Sequence, residues 1–152
     1  MRWFRRAADD RPPQPDPVAP GRTIDEIDRY INRTAGRLPG WAVVRSRWIT
    51  DTLRAILDAS TQEVGTVVLV TGMAGDYLPT TLAAFAAIDE NRRGEPHRSG
   101  RTPEEHLRGQ LEELHEAATA ALAAVRDHDG DALATQSNFL RTKFTRSDLD
   151  LP

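Results

Sequence analysis

The 152-residue chain predicts an all-α fold, a four to five helix antiparallel bundle with a kinked or broken central helix at Pro79. Three observations lead there. Apolar residues recur three and four apart through most of residues 23–146. Two segments, Thr23-Ile-Asp-Glu26 and Thr102-Pro-Glu-Glu105, have the spacing of a helix capping box. The one run that looks like a buried strand, Gly65 to Thr71, has no second strand to pair with, and a lone buried strand would leave its backbone groups unsatisfied. An apolar share of 39% suffices for one core. A single helical domain over residues 23–146 is therefore expected, with a disordered Pro-rich N-terminal tail over 1–22 and a frayed C-terminus over 147–152.

The tail holds Pro12, Pro13, Pro15, Pro17 and Pro20, residues without the N–H that a helix interior or a central strand requires. The first helix is expected at Thr23, with Ile24, Ile27, Ile31, Ala35 and Leu38 as its apolar face and Pro39-Gly40 as its stop. From Trp41 to Ala59, Trp41, Val44, Trp48 and Ala55 share one side, and Ile49, Leu53 and Ile56 an adjoining one. That surface is wide enough for two neighbours.

Residues 63–88 admit two courses. A strand followed by the turn Gly72-Met-Ala-Gly75 has the outline of a phosphate loop, but Asp76, Tyr77 and Leu78 stand where Gly-Lys-Ser/Thr would be needed, and a carboxylate there repels a triphosphate. As a helix, the same run puts Val64, Val67, Val68, Thr71, Ala74 and Leu78 on one face, with Gly65 and Gly72 open to a neighbouring helix. Pro79 disfavours the helical conformation at Leu78 and removes a donor. A kink or break is thus expected between Gly75 and Pro79, with Asp76 capping a second half through Leu82, Phe85 and Ile88.

Residues 90–101 are polar, with two glycines and a proline, and form a loop. Thr102-Pro-Glu-Glu105 then opens a helix bearing Leu107, Leu111, Leu114, Ala118, Ala121, Leu122 and Val125. Asp127-His-Asp-Gly-Asp131 is a turn whose aspartates cap a last helix, Asp131 to Thr145, presenting Leu133, Phe139, Leu140 and Phe144.

Several functions lack their chemistry. A net charge of -3 supplies no basic field for nucleic acid. The absence of cysteine excludes disulfides and thiolate sites and fits a reducing compartment, so a cytoplasmic location is expected. No uninterrupted apolar run approaches the roughly 18–20 residues of a bilayer span. Trp3 and Phe4, with three arginines worth roughly 1 kcal/mol each at an anionic surface, support at most a weak membrane-surface contact. Asp127, Asp129 and Asp131 alternate as calcium ligands do, but Asn138 stands where the bidentate glutamate belongs. His106 and His115 lie nine apart, off any metal spacing. No serine sits in a nucleophile elbow. No catalytic residue, metal or cofactor is expected. One polar hexad, Asp76 to Thr81, interrupts an apolar segment. A helix break there frees backbone N–H groups, which makes Asp76, Tyr77, Thr80 and Thr81 the candidate binding residues.

Tyr77-Leu-Pro-Thr-Thr-Leu82, the run Gly100-Arg-Thr-Pro-Glu-Glu-His-Leu-Arg-Gly-Gln-Leu111, and Asn138-Phe-Leu-Arg-Thr-Lys-Phe144 resemble a group of uncharacterised helical proteins of actinobacteria, over residues 23–145. The Tyr-Leu-Pro segment is distantly similar to one in the 5-bromo-4-chloroindolyl phosphate hydrolysis protein family. The nearer resemblance implies a helical fold and no catalytic residues. The expected function is a non-enzymatic helical interaction or adaptor module, with a protein partner or self-association. The alternative is a phosphate-ester hydrolase or anion-binding protein that uses the helix break at Asp76–Thr81.

Overall fold

A computed structural model describes residues 19–61 and 63–149 of the chain. Five helices account for nearly all of them: α1 (Ala19–Thr34), α2 (Gly40–Ala59), α3 (Val64–Ala86), α4 (Pro103–Arg126) and α5 (Gly130–Leu149). There is no strand among the described residues, so Gly65 to Thr71 is helix and no phosphate loop follows it.

The direction of each helix follows from its side-chain contacts. Arg54 on α2 pairs with Asp25 and Asp28 on α1, and Arg47 with Asn32, so the first two helices are antiparallel. Trp41, Arg45 and Trp48 on α2 meet Glu104, Glu112 and His115 on α4 in ascending order, which makes those two parallel. α3 lies alongside Thr23 at Gly75 and alongside Leu133 at Gly65, and Tyr77 meets Phe144. Three helices, α1, α3 and α5, thus run one way and α2 and α4 the other. α3 touches all four others, and its Leu69, Val70, Met73, Leu78, Leu82 and Phe85 are buried among them.

Helix boundaries differ from those expected at both ends of α1 and at the end of α5: α1 stops at Thr34, and a 3-10 turn over Ala35–Arg37 leads to an extended Leu38 ahead of Pro39. α1 begins at Ala19, four residues before the Thr23 capping box, so residues 19–22 belong to the helix. Pro20 lies in the first turn, where a missing N–H costs nothing. Residues 1–18, with Trp3 and Phe4, lie outside the described residues. At the other end α5 continues to Leu149, beyond the fraying expected from residue 147, and 150–152 lie outside the described residues.

The interruption anticipated at Pro79 takes another form. Met73–Tyr77 is a π segment in which the Leu78 N–H donates to the Met73 carbonyl five residues back, and Leu78 remains right-handed helical. A proline ring would clash with the carbonyl four residues earlier, here Gly75, and the wider π turn just ahead of Pro79 relieves that crowding without ending the helix. Asp76 therefore caps no second helix, and its neighbours make no side-chain cap.

On α2 the buried set is Ala42, Ser46, Ile49, Thr50, Leu53 and Ile56. The expected apolar side through Val44 and Trp48 is the half-exposed one. α4 buries Ala117, Ala118 and Ala121, and small residues on both helices allow this pair its close approach. The capping box of α4 forms as read: the Glu105 N–H donates to the Thr102 hydroxyl at 3.1 Å and the Thr102 N–H to the Glu105 carboxylate at 3.0 Å. The C-terminal carbonyls near the end of α3 receive arginine donors instead. Arg37 donates to Ala86 O at 2.8 Å and Arg93 to Ile88 O at 3.2 Å, with the Arg93 guanidinium 4.6 Å from the centre of the Phe85 ring.

α4 ends with the Asp129 N–H on Ala124 O at 2.8 Å and the His128 N–H on Val125 O at 3.2 Å. This is a Schellman end, and His128 holds its left-handed position, φ 53°, where glycine is usual. The following Gly130 belongs to α5, whose first turn is capped by Asp129, accepting from the Ala132 N–H at 3.0 Å. Because His128 is exposed and its cost is conformational, His128→Gly should raise the urea midpoint by the equivalent of about 0.5–1 kcal/mol, measured at equal protein concentration. An unchanged or lower midpoint would refute that cost.

Candidate interaction surfaces

The π segment determines where the candidate residues fall. Asp76 and Thr80 lie one turn apart on the exposed side of α3, the Thr80 hydroxyl donating to the Asp76 carboxylate at 3.3 Å. Tyr77 is half-buried; its ring folds back over Gly72, where an added Cβ would meet the ring at 3.2 Å, and packs on Phe144 of α5 at 5.6 Å between centres. Thr81 faces inward and is buried. The backbone thus brings Asp76, Tyr77 and Thr80 together and sends Thr81 to the core. The helix does not restart here, so it presents no fresh set of N–H donors, and the carboxylate makes the spot an acceptor of hydrogen bonds. Burial pushes the Tyr77 phenol above its ordinary value of 10.0, the Asp76 charge adds to that, and Arg141 opposes it.

The three glycines of α3 serve three different contacts. Gly65 admits Leu133 of α5, Gly72 admits the Tyr77 ring of its own helix, and Gly75 admits the Thr23 methyl of α1 at 3.1 Å from an added Cβ. The exposed side of α3 includes Gly65 and Gly75. It also lacks charge apart from Asp76, and at its start Val64 and Val68 are 69% and 57% exposed. α3 is the one helix among the described residues long and apolar enough to cross a membrane by length and composition, at mean hydropathy 1.2, with 44% of that window buried inside the bundle. A core helix that packs on four neighbours has the same composition.

A second surface lies along the parallel pair α2 and α4. The Trp41 indole N–H donates to Glu104 at 2.9 Å and the Arg108 guanidinium stands 4.0 Å from the Trp41 ring centre. One and two turns on, Arg45 pairs with Glu112 at 3.1 Å and lies 5.1 Å from the Trp48 ring, which meets His115 at 6.1 Å. Val44 and Trp48, four apart, remain 50% and 52% exposed. The arginines and His115 in this ladder went unassigned from sequence. The sequence shows only that Trp41, Arg45 and Trp48 share one face of α2 and that Glu104, Arg108, Glu112 and His115 share one face of α4; the pairing of the two faces is set by packing.

A small cleft of about 70 Å³ opens where α2 ends and α5 begins, lined in part by Glu63, Thr66, His128 and Asp129. Among the described residues no three histidine or carboxylate groups are grouped to hold a metal ion. No protein-family model, curated protein or solved structure matches the chain.

Two measurements check this geometry. Gly65→Ala adds a methyl at ordinary contact distance from Leu133, 3.6 Å, and should stabilise the fold by up to about 1 kcal/mol, whereas Gly72→Ala must displace the Tyr77 ring and should gain less. Equal gains in urea unfolding would contradict the ring's placement. Below pH 10 both folded and unfolded chains keep the Tyr77 proton; above it the unfolded chain loses the proton first, so stability should fall as pH rises through the alkaline range. Tyr77→Phe should flatten that part of the stability profile, and an unaltered slope would count against the buried phenol.

Proposed function

We propose that this chain is a non-enzymatic helical interaction module that engages a protein partner through the outer face of α2 at its junction with α4. One observation carries it: Val44 and Trp48 stand half-exposed one turn apart, and the Trp48 ring is already held between Arg45 and His115. Tryptophan and arginine dominate the binding energy of protein interfaces, and an anchor fixed before contact loses little rotamer freedom on binding. The surrounding pairs, Arg45 with Glu112 and Trp41 with Glu104, give the patch the polar rim such interfaces have. The chemistry of the outer face is recognition by shape and cation–π contact, and it calls for no cofactor.

A photo-crosslinking residue in place of Val44, with one in place of exposed Arg126 as control, tests the proposal in the cells that make the protein. The Val44 position should give one reproducible protein adduct that Trp48→Ser abolishes while the circular dichroism spectrum stays unchanged. Identical adducts at both positions, or an adduct indifferent to Trp48→Ser, would remove the support. Self-association through this face would appear as a chain-to-chain adduct and a mass that rises with concentration.

A further inference from the structure

Four helix ends meet at the cleft of about 70 Å³: α2 ends at Ala59 and α4 at Arg126, while α3 starts at Val64 and α5 at Gly130. A helix start carries about half a positive elementary charge and a helix end about half a negative one, so two of each nearly cancel there. What remains is the charge of the side chains. Glu63 and Asp129 line the cleft with two carboxylates, Asp127 and Asp131 flank Asp129 in the chain, and no lysine or arginine is among the described lining residues. An anion entering the cleft is therefore repelled and a cation attracted.

Carboxylates in a surface turn are ordinary, but Thr66 is not. This residue is 2% exposed and lines the cleft from the first turn of α3, yet its hydroxyl makes no hydrogen bond to any described residue. Thr71, Thr119 and Thr135 each return their hydroxyl to the carbonyl four residues back. Thr66 has no such partner within its helix, which begins only two residues earlier. A buried hydroxyl left unpaired is costly, and a group that bonds it from the cleft recovers that cost.

The shape of the donor set narrows the cation. The room is several times the ~10–15 Å³ that one water needs, so a small polar head group can enter. Among the described residues no three histidine or carboxylate groups gather to cage a metal ion. The acceptors sit on separate elements: Glu63 precedes α3, Thr66 is inside it, and Asp129 precedes α5, with one carboxylate oxygen already taken by the Ala132 N–H and the other still able to accept. A guanidinium presents five N–H donors in a rigid plane and sheds water more readily than an ammonium, so it can reach acceptors on several sides at once.

We propose that this cleft is a receptor for a guanidinium group, carried by an arginine side chain of a partner polypeptide, with Glu63, Asp129 and the Thr66 hydroxyl accepting its N–H donors. The site is separate from the α2 surface, since Ala59 lies about 16 Å along that helix from Trp48.

Nuclear magnetic resonance titration of the full ¹⁵N-labelled chain with a capped Gly-Arg-Gly peptide, at fixed ionic strength, tests the proposal. The amide signals of Glu63, Thr66 and Asp129 should move along one saturable curve with a millimolar midpoint, and a capped Gly-Lys-Gly peptide should bind at least about threefold more weakly. Thr66→Val keeps the size of the side chain and removes the acceptor; it should weaken peptide binding about threefold without lowering the urea midpoint, and Glu63→Gln should weaken it about fivefold. Shifts that grow linearly without saturating, equal midpoints for the two peptides, or a midpoint indifferent to Thr66→Val would overturn the proposal. Saturation by inorganic phosphate would overturn it too, by assigning the cleft to an anion. Guanidinium chloride with the same midpoint as the peptide would overturn the assignment to a polypeptide.

Discussion

The seating of α3 against Leu133, Thr23 and its own Tyr77 ring is the constraint on which the rest of the bundle depends. A helix that touches four others must let each come close on a different side, and a larger side chain at Gly72 or Gly75 would press on the Tyr77 ring or on Thr23 of α1, while Gly65 leaves Leu133 of α5 at ordinary contact distance. Each glycine costs about 1 kcal/mol of helix propensity relative to alanine, so such a helix has little stability apart from its neighbours. Its buried face returns that cost through Leu69, Met73, Leu78 and Leu82, which lie in the common core with Ile24, Ile31, Leu111 and Leu114. The π segment belongs to the same constraint. It accommodates Pro79 without a break, and the Tyr77 ring of that segment lies over Gly72 while meeting Phe144.

Much of this was legible in the chain because the signals were local. The all-α class, the capping box at Thr102 and the inward leucines of α4 need no partner for their recognition, since spacing and capping chemistry identify them. The first helix boundary misled because Thr23 and Glu26 have capping-box spacing, yet Pro20 is equally at home in a first turn and the helix extends back to Ala19. Proline at position 79 was legible as a local conflict, but how the conflict resolves is a matter of one extra residue in the turn ahead of it. Spacing alone does not distinguish a π segment from a stop. The turn at Asp127–Asp131 carried a similar ambiguity: a glycine is available at 130, but the left-handed position falls at His128 because the last hydrogen bonds of α4 place it there.

The candidate surfaces were harder to see for a physical reason. Apolar periodicity identifies a face, but which part of a wide face is covered depends on the size of residues on the partner helix. On α2 the small residues Ala42 and Ser46 are buried, while Val44 and Trp48 stand half-exposed beside the contact with α4. The same packing aligns Arg45 with Glu112 and brings His115 to Trp48. The polar hexad was found from sequence, but its meaning shifted with the backbone. In a continuous helix Asp76 and Thr80 answer one another, Tyr77 serves the packing, and Thr81 belongs to the core.

The two exposed apolar pairs differ in a way that bears on what can cover them. Trp48 is broad, has few rotatable bonds and is braced by a guanidinium and an imidazole, so a partner gains contact area there with little further ordering. Val64 and Val68 are narrower side chains than tryptophan, and the area they offer is modest. Binding to such a patch is favourable when the loss of translational freedom has already been met by covalent connection, and unfavourable when a free molecule must meet it. The braced tryptophan therefore offers a molecule arriving from solution more contact for less ordering than the bare valines do.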